Sequence, residues 1–170
     1  MINIVLYRPE KPLNTGNIMR TSMASNSKLH IIGPLTFTID DKGLKRAGLD
    51  YLKDVSYNYY ESYEEFIKTN KNPEIFYITR YGKKPHSSID FNDVDRDYFI
   101  MFGRESSGIP LDILKKDLDN CYRIPMRGDA RSLNLSNCVA IVVYEALRQQ
   151  DYNELASSEV IKGEDFLMNS

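Results

Sequence analysis

Three short stretches of this chain gather amide, hydroxyl and charged side chains between an apolar run and a helix-forming one. They are residues 14–20 (Asn14-Thr15-Gly16-Asn17-Ile18-Met19-Arg20), 103–110 (Gly103-Arg104-Glu105-Ser106-Ser107-Gly108-Ile109-Pro110) and 126–137. The third is the richest. Gly128 and Asp129 break the chain, then Ser132, Asn134, Ser136 and Asn137 precede an apolar run over 138–147. Val139 to Val143 could pass for a buried strand, but Asn134 or Ser136 suits a helix N-cap and Glu145-Ala146-Leu147-Arg148-Gln149-Gln150 is strongly helix-forming. The pattern predicts a buried helix of about four turns. Free N–H groups at its start suit a carboxylate, a phosphate or a ribose, with ordinary capping as the plainer reading.

Several chemistries are excluded by what is missing. Gly103 and Gly108 have the glycine spacing of a P-loop, but Ile109-Pro110 replaces the Lys-Ser/Thr that would hold phosphate and magnesium. No G-x-G-x-x-G follows the first apolar run, no H-E-x-x-H or C-x-x-C pair suggests zinc, and no G-x-S-x-G elbow presents a nucleophile. His30 falls inside a predicted strand, where packing is its expected role. His86 follows Lys83-Lys84-Pro85 and reads as a solvated surface residue.

The elements that must carry these stretches alternate. Strands are predicted at 2–7, 29–32, 55–60, 75–79, 98–102 and 122–124, and helices at 18–23, 40–51, 63–68 and 111–118, with Asn14 to Asn17 left in a loop. That order gives an α/β fold with a mostly parallel sheet flanked by helices. Ligands of such sheets bind at the carboxyl ends of strands, where all three polar stretches would emerge.

At 170 residues the chain suits one domain, taken as 1–152, followed by a polar tail at 153–170 without a periodic face. The net charge of −2 gives no general attraction for nucleic acid, so any RNA contact needs local patches. The candidates are Lys42, Lys45 and Arg46; Arg80, Lys83 and Lys84; and Arg127 with Arg131, with Tyr81 as a stacking ring. Cys121 and Cys138 lie on apolar segments and read as buried reduced thiols. The opening apolar run is too short for a signal peptide and no 18-residue apolar span occurs, so a cytoplasmic protein without membrane contact is expected.

Taken together and in order, the three stretches resemble the three motifs of the SPOUT class of RNA methyltransferases. With Asn3-Ile4-Val5-Leu6-Tyr7 and Arg46-Ala47-Gly48-Leu49-Asp50-Tyr51 added, the likeness narrows to the small, single-domain enzymes that methylate the ribose of the tRNA wobble nucleotide. It covers about residues 1–150. The resemblance implies a C-terminal deep trefoil knot, which sequence reasoning alone would not give because chain connections are normally unknotted. It implies S-adenosyl-L-methionine as donor, no metal, and a homodimer in which each site borrows the first motif from the partner. The implied substrate is the anticodon stem-loop of tRNA, leucine tRNAs by analogy, methylated at the 2′-hydroxyl of a wobble cytidine or modified uridine.

Carried over by position, the resemblance places Ile78, Gly103, Ile124, Met126, Ser132 and Leu133 around the donor. It places Asn14, Arg20, Glu105, Ser132 and Asn134 at the catalytic positions, with Tyr144 and Arg131 in support. Family proposals make the first-motif arginine the base; because an arginine is so hard to deprotonate, Arg20 is read here as an electrostatic anchor for phosphate and developing alkoxide, and the proton acceptor is left unassigned. Arg80-Tyr81 and Arg104 depart from the family pattern and bear on substrate detail. Three other readings are weighed. A catalytically silent RNA-binding knot protein conflicts with the intact Asn14, Arg20, Glu105 and Asn134. A SPOUT enzyme for another tRNA or rRNA site would be expected to carry a further RNA-binding domain. A nucleotide-binding α/β hydrolase lacks a nucleophile with its base.

Overall fold

The computed structural model describes residues 1–39 and 56–170. The helix expected at 40–51, the patch Lys42, Lys45 and Arg46, and Val55 lie outside the described residues.

Strand β1 (Ile2–Tyr7) is an interior strand of the sheet, and all six of its residues are buried. A strand without in–out alternation is covered on both faces, which is the condition parallel sheets require. The remaining strands are β2 (Lys28–Ile32), β3 (Tyr57–Tyr60), β4 (Ile75–Ile78), β5 (Lys84–Pro85), β6 (Tyr98–Phe102) and β7 (Cys121–Arg123). They form one sheet in the order β3-β2-β1-β6-β4-β7-β5, and every pairing is parallel. The register puts Leu6 beside Phe102, Phe102 beside Ile78, and Ile78 beside Tyr122. Four strands therefore end almost level, and the segments that follow them emerge side by side.

Helices α1 (Pro12–Ala24) and α4 (Leu135–Gln149) cover one face. Ile18, Met19, Val139, Val142 and Val143 join Ile4, Leu6 and Phe102 in a single apolar cluster. Each such side chain contributes about 1.5–3 kcal/mol by leaving water. The other face is covered by α2 (Tyr63–Thr69) and α3 (Leu111–Leu114), with Phe66, Ile113 and Leu114 against Val5, Tyr7 and Met101. In the tail only α5 (Phe166–Asn169) is regular, and its residues are exposed.

Four local features depart from the sequence reading. Helix α1 begins at Pro12, a residue whose fixed φ suits a first helical position, so Asn14 to Asn17 are helical and not loop. The helix at Leu111 stops at Leu114; the following residues turn through a 3-10 segment, Leu118–Asn120, to enter β7. His86 is half-buried in a 3-10 turn, with Nδ1 buried and without a hydrogen-bond partner, where a solvated ring was expected. Strand β5, which the sequence did not announce, pairs with β7 on the side away from β4. Residues 79–83 must therefore step across β7 to reach it. Gly82 makes the crossing, and a Cβ there would lie 2.4 Å from the carbonyl carbon of Tyr122.

His30 meets its expectation of a packed core residue. It is 3% exposed, its Nδ1 lies 2.9 Å from the Tyr60 hydroxyl, and its Nε2 lies 3.2 Å from Asn3 Oδ1. An amide oxygen only accepts, so Nε2 carries the proton and Nδ1 accepts from Tyr60. Burial pushes the imidazole down to about 4.

Candidate active site

A cavity of about 620 Å³ opens at the level ends of β4, β6 and β7. The residues after β4, the 103–109 loop and the segment from Ile124 to Leu135 wall it, and Lys11 just before α1 and Asn14 within it complete the lining. All six residues expected around a donor, Ile78, Gly103, Ile124, Met126, Ser132 and Leu133, line this space. Of those expected to act in catalysis, Asn14, Glu105, Ser132 and Asn134 line it too, and Arg131 is at its rim. Arg20 does not line it. It lies on the exposed side of α1, six residues beyond Asn14 or about 9 Å of helix rise. Tyr144 is 43% exposed on the outer side of α4 and is also outside the wall.

The first motif meets the cavity of its own chain through Asn14, which is 5% exposed. Asn14 Nδ2 donates to Glu105 Oε1 at 3.0 Å, and Asn14 Oδ1 accepts from Asn134 Nδ2 at 3.0 Å. Asn134 is the N-cap of α4; its Oδ1 accepts from the backbone N–H of Ser136 (2.8 Å) and Asn137 (3.4 Å) and from the Ser136 hydroxyl (2.6 Å). At the other end, Glu105 accepts from the backbone N–H groups of Glu10 (2.8 Å) and Lys11 (3.2 Å). Helix α1 has no side-chain cap of its own at Lys11. Glu105 fills that place from a different loop, and its negative charge suits the positive end of the helix.

A second clasp runs the opposite way. The Glu10 carboxylate accepts from the Ser106 N–H at 2.9 Å and the Ser106 hydroxyl at 2.8 Å, and these bonds hold its carboxyl below the usual carboxylate range. Glu10 is not among the residues singled out from the sequence. The hint was a carboxylate fixed between Pro9 and Pro12, a loop too stiff to let it wander.

Close main-chain approach shapes the floor. A Cβ on Gly103 would lie 2.2 Å from the carbonyl carbon of Gly108, because Arg104 and Gly108 exchange backbone hydrogen bonds of 3.2 and 3.0 Å. Arg104 also lines the cavity; its guanidinium is 5.8 Å from the Tyr7 ring centroid and its Nε is buried without a hydrogen-bond partner. Cys138 reaches the cavity wall, and burial raises its thiol, as it does that of Cys121. Neither forms a disulfide.

The arrangement can hold an elongated, partly apolar ligand on main chain and aliphatic side chains, with an amide-and-carboxylate row along one wall. The chain is similar to several known proteins. A protein of Bacillus subtilis (strain 168) named "Putative tRNA (cytidine(34)-2'-O)-methyltransferase" is 54% identical over 154 residues, covering 91% of this chain and 96% of its own. The tRNA (cytidine(34)-2'-O)-methyltransferase of Escherichia coli (strain K12) is 44% identical over 153 residues, covering 89% and 96%. A solved structure described as "Structural insights into the 2-OH methylation of C/U34 on tRNA" superposes with a TM-score of 0.80 at 37% identity, covering 90% of this chain and 98% of the other. An AdoMet-bound rRNA methyltransferase from Sinorhizobium meliloti superposes with a TM-score of 0.75 at 25% identity, covering 86% of this chain and 56% of that one. The family model described as SpoU rRNA Methylase matches residues 1–144, the span that holds β1 to β7, the cavity and most of α4, and the chain belongs to that family.

Proposed function

We propose that this protein transfers a methyl group from S-adenosylmethionine to the ribose 2′-hydroxyl of nucleotide 34 of tRNA, a cytidine or modified uridine, with leucine tRNAs as substrates. The observation that carries this reading is the meeting of all three motifs on one cavity, stitched by the Glu105–Asn14–Asn134 hydrogen bonds.

The cavity fits the donor. Its volume of about 620 Å³ is ample for a nucleoside with an amino-acid arm. Ile78, Ile124 and Leu133 offer apolar surface for a purine, and the bare main chain at Gly103 allows close approach. When bound, the donor supplies a methyl group made electrophilic by a positively charged sulfur. The chain's own part is alignment and exclusion of water, which can supply several kcal/mol when the reacting atoms are held in line. Glu105 is a positioning residue in this reading: its three accepted bonds all tie it to the start of α1 and to Asn14. Ser132 and Asn134 face the entering ribose from the start of α4. The 2′-oxygen gains the methyl group and loses its proton to solvent or to a group outside this row.

Arg20 reaches a site only in a dimer. On α1, Leu13, Asn17, Arg20 and Ala24 share one stripe, and on α4 Asn137, Ile141, Tyr144 and Arg148 share another, with Leu13 54%, Ile141 40% and Tyr144 43% exposed. These packed helices offer a face of mixed apolar and polar side chains, which a second copy would cover. Asn14 then serves its own chain, while the partner subunit's Arg20 anchors phosphate and the developing alkoxide. The catalytic unit is residues 1–152, the tail at 153–170 lies outside it, and residues 79–83 over β7 form part of a trefoil knot. The protein works in the cytoplasm, without metal.

The test is methylation of purified leucine tRNAs with labelled donor followed by nucleoside mapping. Label in a 2′-O-methyl nucleoside at position 34, lost in Arg20→Ala, is the expected result. Label on a base, or full activity in Arg20→Ala, would overturn the mechanism.

A further inference from the structure

The cavity has an aromatic rim that the reaction itself does not call for. Tyr81 lies at the mouth, 64% exposed, two residues beyond Thr79 where the chain leaves β4. A lone exposed tyrosine needs no explanation. This one differs in being held. The Tyr81 N–H donates to Thr79 Oγ1 at 3.3 Å, the Gly82 N–H donates to Thr79 O at 3.3 Å, and the Thr79 N–H donates to Tyr122 O at 2.8 Å. Gly82 packs directly on the Tyr122 main chain, which backs the turn from below. The ring is thus displayed by a short turn braced on β7. Arg80 lies against it, guanidinium carbon 5.9 Å from the ring centroid, and is itself exposed at the same rim, as is Arg131 from the facing segment.

An exposed aromatic ring with cations on either side of a pocket mouth matches one ligand chemistry closely. It suits a single unstacked nucleobase with its flanking phosphates. A ribose can deliver its 2′-hydroxyl into the cavity only if its nucleotide leaves the stack of its neighbours, and that lost stacking must be replaced. We propose that Tyr81 is the stacking platform for the base of the target nucleotide, and that Arg80 holds the adjacent phosphate. The inference rests on the tRNA reading above and deepens it. A ring face does not read a Watson–Crick edge, so this subsite would accept cytidine and uridine alike and leave discrimination to other contacts.

The test uses the full-length protein, an anticodon stem-loop carrying fluorescent pyrrolo-cytidine at the target position, and the demethylated donor product to fill the cavity. Binding to the parent should quench the fluorophore by stacking, Tyr81→Phe should preserve the quench, and Tyr81→Ala should leave it bright. In turnover with unlabelled stem-loop, Tyr81→Ala should raise KM for RNA about tenfold, the scale of one lost base–aromatic stack, with the larger share of the effect in KM and not in kcat. Arg80→Ala should weaken RNA binding and flatten its salt dependence by about one phosphate contact. Equal quenching in the parent and Tyr81→Ala would overturn the proposal. So would donor affinity, measured calorimetrically without RNA, falling as much as RNA affinity, because the ring would then serve the purine of the donor. The quench needs no methyl transfer, so absence of methylation at position 34 by the parent would remove the functional reading while the stacking is judged separately.

Discussion

Two hydrogen-bonded side-chain rows in this molecule use the same parts and do different things. One is Asn70–Tyr60–His30–Asn3 inside the sheet; the other is Asn134–Asn14–Glu105 along the cavity wall. Each contains two asparagines. The core row is closed, ending on Asp97 and the Met1 carbonyl, and burial keeps its imidazole neutral. The cavity row is open, and both its ends are fixed by helix starts. N–H groups of Ser136 and Asn137 enter at one end, N–H groups of Glu10 and Lys11 arrive at the other, and every hydrogen bond in the row points toward Glu105. A row locked at two helix termini has one orientation, so the amide faces left to a ligand are set before it arrives. The closed row should therefore govern stability, and the open one catalysis.

The largest effect belongs to the closed row and is read against pH. His30 has a folded pKa of about 4 against an ordinary 6.5, so the unfolded chain binds more protons between those values and stability rises with pH across them. Stability is full above about pH 6.5 and falls by about 3 kcal/mol as pH drops to about 4. Urea melts over this range should show that slope in the parent and lose it in His30→Gln. An unchanged slope would mean that the core row tolerates charge.

Next is the polarity of the open row. Glu105→Gln leaves one acceptor oxygen for donors that reach two: turned one way its NH2 meets the Glu10 N–H, and turned the other way it meets the Asn14 NH2, a conflict that reversing Asn14 only moves to Asn134. Methyl transfer should fall about 100-fold, the scale of a 1 Å misplacement, with little change in melting temperature. Adding Asn14→Asp restores an acceptor between the two donors, and the double variant should recover at least about tenfold. A double variant no better than Glu105→Gln would show that the carboxylate at 105 matters for itself and not for the direction it imposes.

Smaller effects sharpen the contrast. Tyr60→Phe strips partners from His30 Nδ1 and Asn70 Nδ2 and should cost about 2 kcal/mol in denaturant melts, with kcat close to the parent value. Ser136→Ala removes a single hydroxyl bond to Asn134 Oδ1, which keeps two backbone donors; a loss of about 0.5 kcal/mol and less than threefold in activity is expected. A larger activity loss there would make the hydroxyl part of the ribose contact.

The legible parts share a cause. Short, largely apolar runs such as Ile2–Tyr7, broken only by Asn3, and Tyr98–Phe102 read as buried strands, and their limits match the reading to the residue. Asn134 as cap of α4 follows from a local bond between a side chain and the next turn's backbone. Helix α1 was misread at its start because Asn14 and Gly16 are poor helix formers; the turn is held by Pro12 and by Glu105, some ninety residues away, which no local window contains. Strand β5 stayed hidden because two residues carry no period, and its existence depends on β7 slipping between it and β4.

The chain's pattern of apolar runs, breakers and polar stretches thus determined by itself that this is a parallel α/β protein with three chemically loaded segments at one end of its sheet. Local interactions write that information, and it can be read where it is written. Only the tertiary structure decided how the segments divide their work: that Asn14 and Glu105 lock a helix start to a cavity, that Arg20 lies on an outer face, and that Tyr81 is braced at the rim by the crossing over Tyr122. Those outcomes depend on strand order and register, which bring distant residues within hydrogen-bond reach and leave no periodic trace in the sequence.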